Sequence, residues 1–179
     1  LQSRNEDGSW KRYDADWRES TYKNYFWMVP YDLQGLIDSI GGKEAAEKRL
    51  DEMFRRLDAS YGDEWFASGN EPSFQIPWIY NWAGAPYKAQ QVIRRILNEQ
   101  YSSRVNGLPG TDDLGSMGAW YVFASIGLFP EIPGVGGFSV NSPVFRKIVL
   151  HLPEGDVIIK GGDEKKEYIH SLSLDGKKM

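Results

Sequence analysis

Apolar residues recur at helical spacing along most of the chain and turn into short, strand-like runs only near its C-terminus. Asp32 follows Pro30 and precedes Leu33, Leu36 and Ile37, which predicts a short helix capped by the Asp32 carboxylate and broken at Gly41-Gly42. Ala46, Leu50, Met53, Phe54 and Leu57 fall on one face of the next stretch, with Glu, Lys and Arg on the other. A helix is therefore expected over 43–60. The run 76–83 is apolar and aromatic and reads as a buried helix rather than a strand. Pro86 suits the first turn of a further helix, whose stripe is Ala89, Val92, Ile93, Ile96 and Leu97. Residues 117–126 are apolar nearly all round, the pattern of a core helix. Beyond Pro130 the period changes, and 138–140, 147–152, 157–160 and 169–174 read as short strands separated by Gly, Asp and Pro turns. The expected organisation is a helical portion over 1–133 followed by a short β segment over 134–179, with no internal repeat.

Long polar loops separate these elements. Residues 4–9 form a polar opening, 10–31 an irregular, aromatic-rich stretch, and 67–75 and 106–115 two loops rich in Gly, Asn, Asp and Pro. Seven Trp, ten Tyr and eight Phe are many for 179 residues, and several sit beside Gly, Asn, Asp and Glu. A flat apolar face with a polar edge suits sugar binding, while any single aromatic also fits an ordinary core position. With 21 basic and 25 acidic residues there is no basic stripe for nucleic acid. No apolar run is long enough for a membrane-spanning helix, and the absence of Cys excludes disulfides and thiolate metal sites. Leu1 opens the chain without an initiator Met or a signal-like segment, so a trimmed, processed or partial chain is expected.

The chemistry concentrates in three loops: around Glu19, at Gly69-Asn70-Glu71-Pro72-Ser73, and from Gly107 through Asp112-Asp113 to Gly115. Each ends near a predicted helix start. By composition alone Glu19 reads equally as a solvated acid, Glu71-Pro72 as a turn, and Asp112-Asp113 as a helix cap with a dipole-favoured neighbour.

The order of motifs adds to this. The Gly69-Asn70-Glu71-Pro72-Ser73 run, followed by Ile76-Pro77, Tyr80-Asn81 and Ala83-Gly84, resembles the signature of glycoside hydrolase family 92. So do Gly107-Leu108-Pro109-Gly110 through Asp113, Gly115 and Ala119-Trp120-Tyr121-Val122-Phe123, then Gly127-Leu128-Phe129-Pro130 and Ser142-Pro143. Upstream, Asp7-Gly8-Ser9-Trp10, Glu19, Tyr25, Trp27, Asp32 and Gln34-Gly35-Leu36 fall into line, so the resemblance covers about residues 5 to 177.

That family consists of calcium-dependent, inverting exo-α-mannosidases built from an N-terminal β-sandwich and a C-terminal six-hairpin helical toroid. The resemblance implies that the chain is mainly α, part of an (α/α)6 toroid followed by a small β-strand appendage. It further implies Glu19 as general acid, and Asp113, with Asp112 beside it, as the source of the general base. Inversion needs two carboxyl groups roughly 6.5–9.5 Å apart, leaving room for water. Trp27, Tyr31, Ser73, Phe74 and Gln75 fall at expected sugar-contacting positions. Asn24, Asn70 and Glu71 fall near an expected Ca²⁺. The implied partners are a mannose-containing glycan and the preceding, N-terminal portion of the same enzyme. The implied location is secreted, periplasmic or cell-surface.

The sequence also departs from the family pattern. Ser20-Thr21-Tyr22-Lys23-Asn24 follows the acid where Gly-Asn-Ala-Trp-Gln is usual, Phe74-Gln75 replaces a pair of His, Tyr31 replaces another, and Thr111 stands where Asn or Asp is common. These departures bear on substrate identity and leave open a non-catalytic carbohydrate-binding piece or a paralogue with altered sugar specificity. A polysaccharide lyase would need a loop His, whereas His151 and His170 fall in predicted strands.

Overall fold

The computed structural model describes residues 2–12 and 14–179; Tyr13, in the expected irregular stretch, lies outside them. Helices α1 (Tyr22–Tyr25), α2 (Leu33–Ser39), α3 (Lys43–Met53), α4 (Ile79–Trp82), α5 (Pro86–Glu99) and α6 (Ser116–Ile126) come first. The strands follow as β1 (Leu128–Phe129), β2 (Ser139–Val140), β3 (Lys147–Leu152), β4 (Gly155–Lys160), β5 (Ser173–Leu174) and β6 (Lys177–Lys178). The fold is thus mixed helical with small antiparallel strand pairs: β1 with β2, β3 with β4 and β5 with β6.

Local chemistry explains the helix starts. The Asp32 carboxylate accepts the Gly35 N–H at 3.0 Å and caps α2 as expected. Pro86 opens α5, where its lack of an N–H costs nothing. The stripe of α5 is buried, with Ala89, Ile93 and Ile96 each at most 1% exposed. They pack into one core with Trp27, Leu50, Phe66, Trp78 and Tyr80. Much of the aromatic content lies here: Trp78 stacks on Phe129 at 4.0 Å, and Trp120 stacks on Tyr101 at 5.8 Å.

Four expectations are corrected. The helix over 43–60 stops at Met53, because the Phe66 N–H donates to the Met53 carbonyl and the Ala59 N–H to the Phe66 carbonyl. Phe54 and Leu57 are still buried, but from a returning turn. In 169–174 only Ser173–Leu174 is a strand, paired across the Asp175-Gly176 turn with β6. Leu128–Phe129, not among the expected strands, pairs with β2, after Gly127 ends α6 in a left-handed conformation (φ 85°). Finally, α6 is only partly core: Met117, Trp120 and Ala124 are buried, while Tyr121 and Val122 are exposed.

The β segment is tied to the helices through α5. The buried Arg94 guanidinium donates to the Ser142 hydroxyl at 3.2 Å and the Lys166 carbonyl at 3.1 Å, and Gln90 accepts the Ile169 N–H at 2.8 Å. At β2, Glu131 is buried and accepts from Trp82 Nε1 and Ser139 Oγ. Burial holds its carboxyl above the usual carboxylate range.

Candidate active site

The loop 67–75 is anchored from beneath. Asn24, only 1% exposed, donates to the Trp65 carbonyl at 2.8 Å, while its own oxygen accepts the Ser73 hydroxyl at 3.2 Å and the Ala67 N–H at 3.4 Å. Ser68 donates to the Leu57 carbonyl at 2.7 Å. The loop meets 106–115 backbone to backbone. A Cβ on Gly69 would overlap the Pro109 carbonyl, and one on Gly110 would come within 2.6 Å of the Gly69 carbonyl. Only glycine allows the two loops to touch this closely.

The second loop enters α6 through a left-handed run, with φ of 66° at Asp112, 41° at Asp113, 60° at Leu114 and 89° at Gly115. For a non-glycine residue this conformation costs roughly 1–2 kcal/mol, less for Asp. The run turns the two adjacent carboxylates in different directions. Asp112 Oδ1 accepts the Gly118 N–H at 3.0 Å and so serves the start of α6, while Asp113 accepts the Thr111 hydroxyl at 2.7 Å.

The third loop presents Glu19, also left-handed (φ 65°). The Tyr25 hydroxyl donates to the Arg18 carbonyl at 2.5 Å and Asn70 Nδ2 to the Glu19 carbonyl at 3.1 Å. Trp17 stacks on Tyr25 at 5.4 Å. Burial, reinforced by the nearby Glu19 and Glu71 charges, pushes the Tyr25 phenol up. The Glu19 carboxylate is about half exposed, with Arg18 Nε at 3.6 Å.

The three loops enclose a cleft of about 510 Å³ whose wall includes Glu19, Asn70, Glu71, Thr111 and Asp113. Glu19 and Asp113, from two different loops, thus share an open, water-accessible space, a precondition of acid–base hydrolysis. A larger hollow of about 610 Å³ lies against Lys23, Trp27 and Arg49, but neither Glu19 nor Asp113 lines it. Lys23 is paired there with Glu64.

The other expected residues are placed as follows. Trp27 and Ser73 are fully buried, Tyr31 is 78% exposed, and Phe74 offers its carbonyl to Trp120 Nε1 at 3.0 Å. Gln75 Nε2 donates to the Trp27 carbonyl at 3.5 Å. None of these five lines the cleft. Tyr61, exposed on the cleft wall, lies just past the helix expected over 43–60, and the turn-forming Gly62-Asp63 after it is the sequence signal for its loop position.

Calcium needs six to eight oxygen ligands. Among the described residues no group of three or more His, Cys, Asp or Glu could hold a metal ion, and the Asn24 oxygen is already engaged. Asn70 and Glu71 remain as candidate donors, too few to form a calcium site by themselves.

Comparison with known proteins adds the identity of the fold. The family model for the glycosyl hydrolase family 92 catalytic domain matches residues 1–179. A family GH92 α-mannosidase of Bacteroides thetaiotaomicron superposes with a TM-score of 0.85 at 33% identity, over 99% of this chain and 25% of that one. Its complex with mannoimidazole superposes with a TM-score of 0.82 at 29% identity, over 99% and 27%. An uncharacterized secreted glycosidase of Arthroderma benhamiae is 31% identical over 169 residues, 89% of this chain and 21% of that protein. The chain belongs to glycosyl hydrolase family 92 and is part of its catalytic domain. It spans about a fifth to a quarter of the length of these relatives.

Proposed function

We propose that this chain supplies the acid–base half of an inverting exo-α-mannosidase acting on α-linked mannosides of glycans. The observation that carries the reading is the cleft shared by Glu19 and Asp113. Glu19, in its protonated form, donates to the departing glycosidic oxygen. Asp113 takes a proton from the water that attacks the anomeric carbon from the opposite face, so the C–O bond breaks as the new one forms. Asp112, aimed at α6, holds the Asp113 loop in place. The helices contribute an arc of an (α/α)6 toroid, and the exposed Tyr121 and Val122 of α6 are the kind of surface the remaining toroid would cover.

Asn70 and Glu71 would offer two of the six to eight oxygens that Ca²⁺ needs. The proposed substrate class is supported by relatives whose names specify α-mannosidase activity and, in one case, a mannoimidazole complex. Export from the cell is in keeping with the relative called secreted, and no helix of the described residues is long and apolar enough to cross a membrane.

The test is mannose release from an alkyl α-mannoside, whose leaving oxygen must be protonated, by a complete catalytic domain carrying this chain. Activity is expected there, absent from the 179 residues alone, and abolished by Glu19→Gln and Asp113→Asn. Full activity in either variant would refute the assignment.

A further inference from the structure

Glu19 is held in a backbone conformation that its own side chain disfavours, with φ of 65°. Such a conformation persists only where the surroundings over-determine it. Here the two carbonyls that flank the Glu19 Cα are each gripped by a different side chain. The Tyr25 hydroxyl, from α1, donates to the Arg18 carbonyl at 2.5 Å. The Asn70 amide, from the opposing loop, donates to the Glu19 carbonyl at 3.1 Å. Fixing both peptide groups fixes φ and ψ, and with them the direction of the Cα–Cβ bond that carries the carboxylate.

The two anchors are themselves rigid. Trp17 stacks on the Tyr25 ring at an interplanar angle of 15°. Asn70 is 7% exposed, and its N–H donates to the Ala67 carbonyl at 3.3 Å.

The geometry points to Tyr25 and Asn70 as a two-sided clamp that aims the Glu19 carboxyl at the departing oxygen. They are positioning residues, since neither needs to touch the reacting atoms. The inference rests on Glu19 being the general acid. It also gives Asn70 a task independent of any metal. A misaimed acid fails where protonation of the leaving group is needed and is spared where it is not. The clamp therefore predicts a dependence on leaving group that a loss of folded protein cannot produce.

The experiment compares two α-mannosides in a complete catalytic domain carrying this chain, one with an alkoxide leaving group and one with a strongly acidic dinitrophenol. General acid catalysis contributes roughly 10²–10⁴-fold. Tyr25→Phe is expected to lose on the order of tenfold or more in kcat on the alkyl substrate, while the dinitrophenyl substrate is nearly unaffected. Glu19→Gln should show the same pattern more strongly. Equal losses on both substrates, or no loss on either, would overturn the clamp. Retention of alkyl mannoside hydrolysis by Glu19→Gln would instead overturn the acid assignment itself, so the two failures are distinguishable. A carbonyl ¹³C spectrum of the same complete domain, labelled at Arg and Glu, supplies a second readout. Tyr25→Phe should move the Arg18 signal and Asn70→Ala the Glu19 signal, and unchanged shifts would count against the clamp.

Discussion

The loops 67–75 and 106–115 face each other across one cleft, yet they are held in place by opposite means. The first is pinned by buried side chains: Asn24, Ser68 and Ser73 cross-link it to α1 and to the turn after α3. The second has little beneath it. Asp113, Leu114 and Gly115 are exposed, and the turn into α6 runs through consecutive left-handed residues. The proposed base must meet substrate and water, so its loop cannot be buried. Its position is borrowed from the anchored loop through the Gly69–Gly110 contact and from α6 through Asp112. The difference teaches that precision at the exposed acid is inherited from contacts some residues away.

The sharpest way to break that inheritance is Gly69→Ala. The added methyl meets the Pro109 carbonyl, a backbone atom that no rotamer change can move. A cost of about 3 kcal/mol, at the upper end for overpacking, is expected, together with loss of activity in the complete domain. Chemical denaturation measures the first, and a stability change under about 0.5 kcal/mol would show that the loops can part freely. Next in size is Asn24→Ala, which leaves the buried Ala67 N–H and Trp65 carbonyl unpaired. About 2 kcal/mol should be lost. If the anchored loop tolerates this as a surface loop would, the contrast between the two regions fails.

Much of this architecture was legible in the sequence where the physics is local and periodic. Asp32 announces a cap, Pro86 a first turn, and the five stripe residues of α5 a buried face. The end of α3 was not legible, because Phe54 and Leu57 continue its apolar spacing. The long-range hydrogen bonds from Phe66 to Met53 and from Ala59 to Phe66 show that the chain has already turned. β1 was missed for a related reason: Leu128 and Phe129 extend the apolar run of α6, and their partners Val140 and Ser139 lie beyond a Gly-rich stretch. At the site, motif order brought forward Glu19, Asn70, Glu71 and Asp113, which do share the cleft. It could not separate Asp112 from Asp113, since identical neighbours differ only in direction. Nor could it show that Trp27 and Ser73 are buried and Tyr31 stands away from the cleft wall.

Asp112 gives the third way to sharpen the comparison. Its carboxylate accepts the Gly118 N–H near the start of α6, so Asp112→Ala should cost about 1 kcal/mol, the usual value of a helix cap. Asp112→Asn keeps an acceptor oxygen and should cost a few tenths at most. A complete domain carrying Asp112→Asn should also stay active, because Asp113 alone faces the cleft. Equal destabilisation by both variants in thermal melts would refute the capping role, and inactivity of the Asn variant would make Asp112 the base.

The smallest effect is the most diagnostic, because its sign is reversed. Leu114 is fully exposed at 110% of its reference area and sits at φ 60°. Its side chain therefore gains almost nothing from burial, while its backbone bears the left-handed cost of roughly 1–2 kcal/mol. Leu114→Gly removes that strain but gives the unfolded chain more freedom, which returns about 0.4–1 kcal/mol. The net expectation is stabilisation by about 0.5 kcal/mol, or roughly 1–2 °C in Tm for a chain of this size. No glycine substitution in the middle of α5 could do the same, since there the backbone is already relaxed and the side chains pack. If Leu114→Gly destabilises instead, the exposed loop is held by packing, and the two loops do not differ in kind.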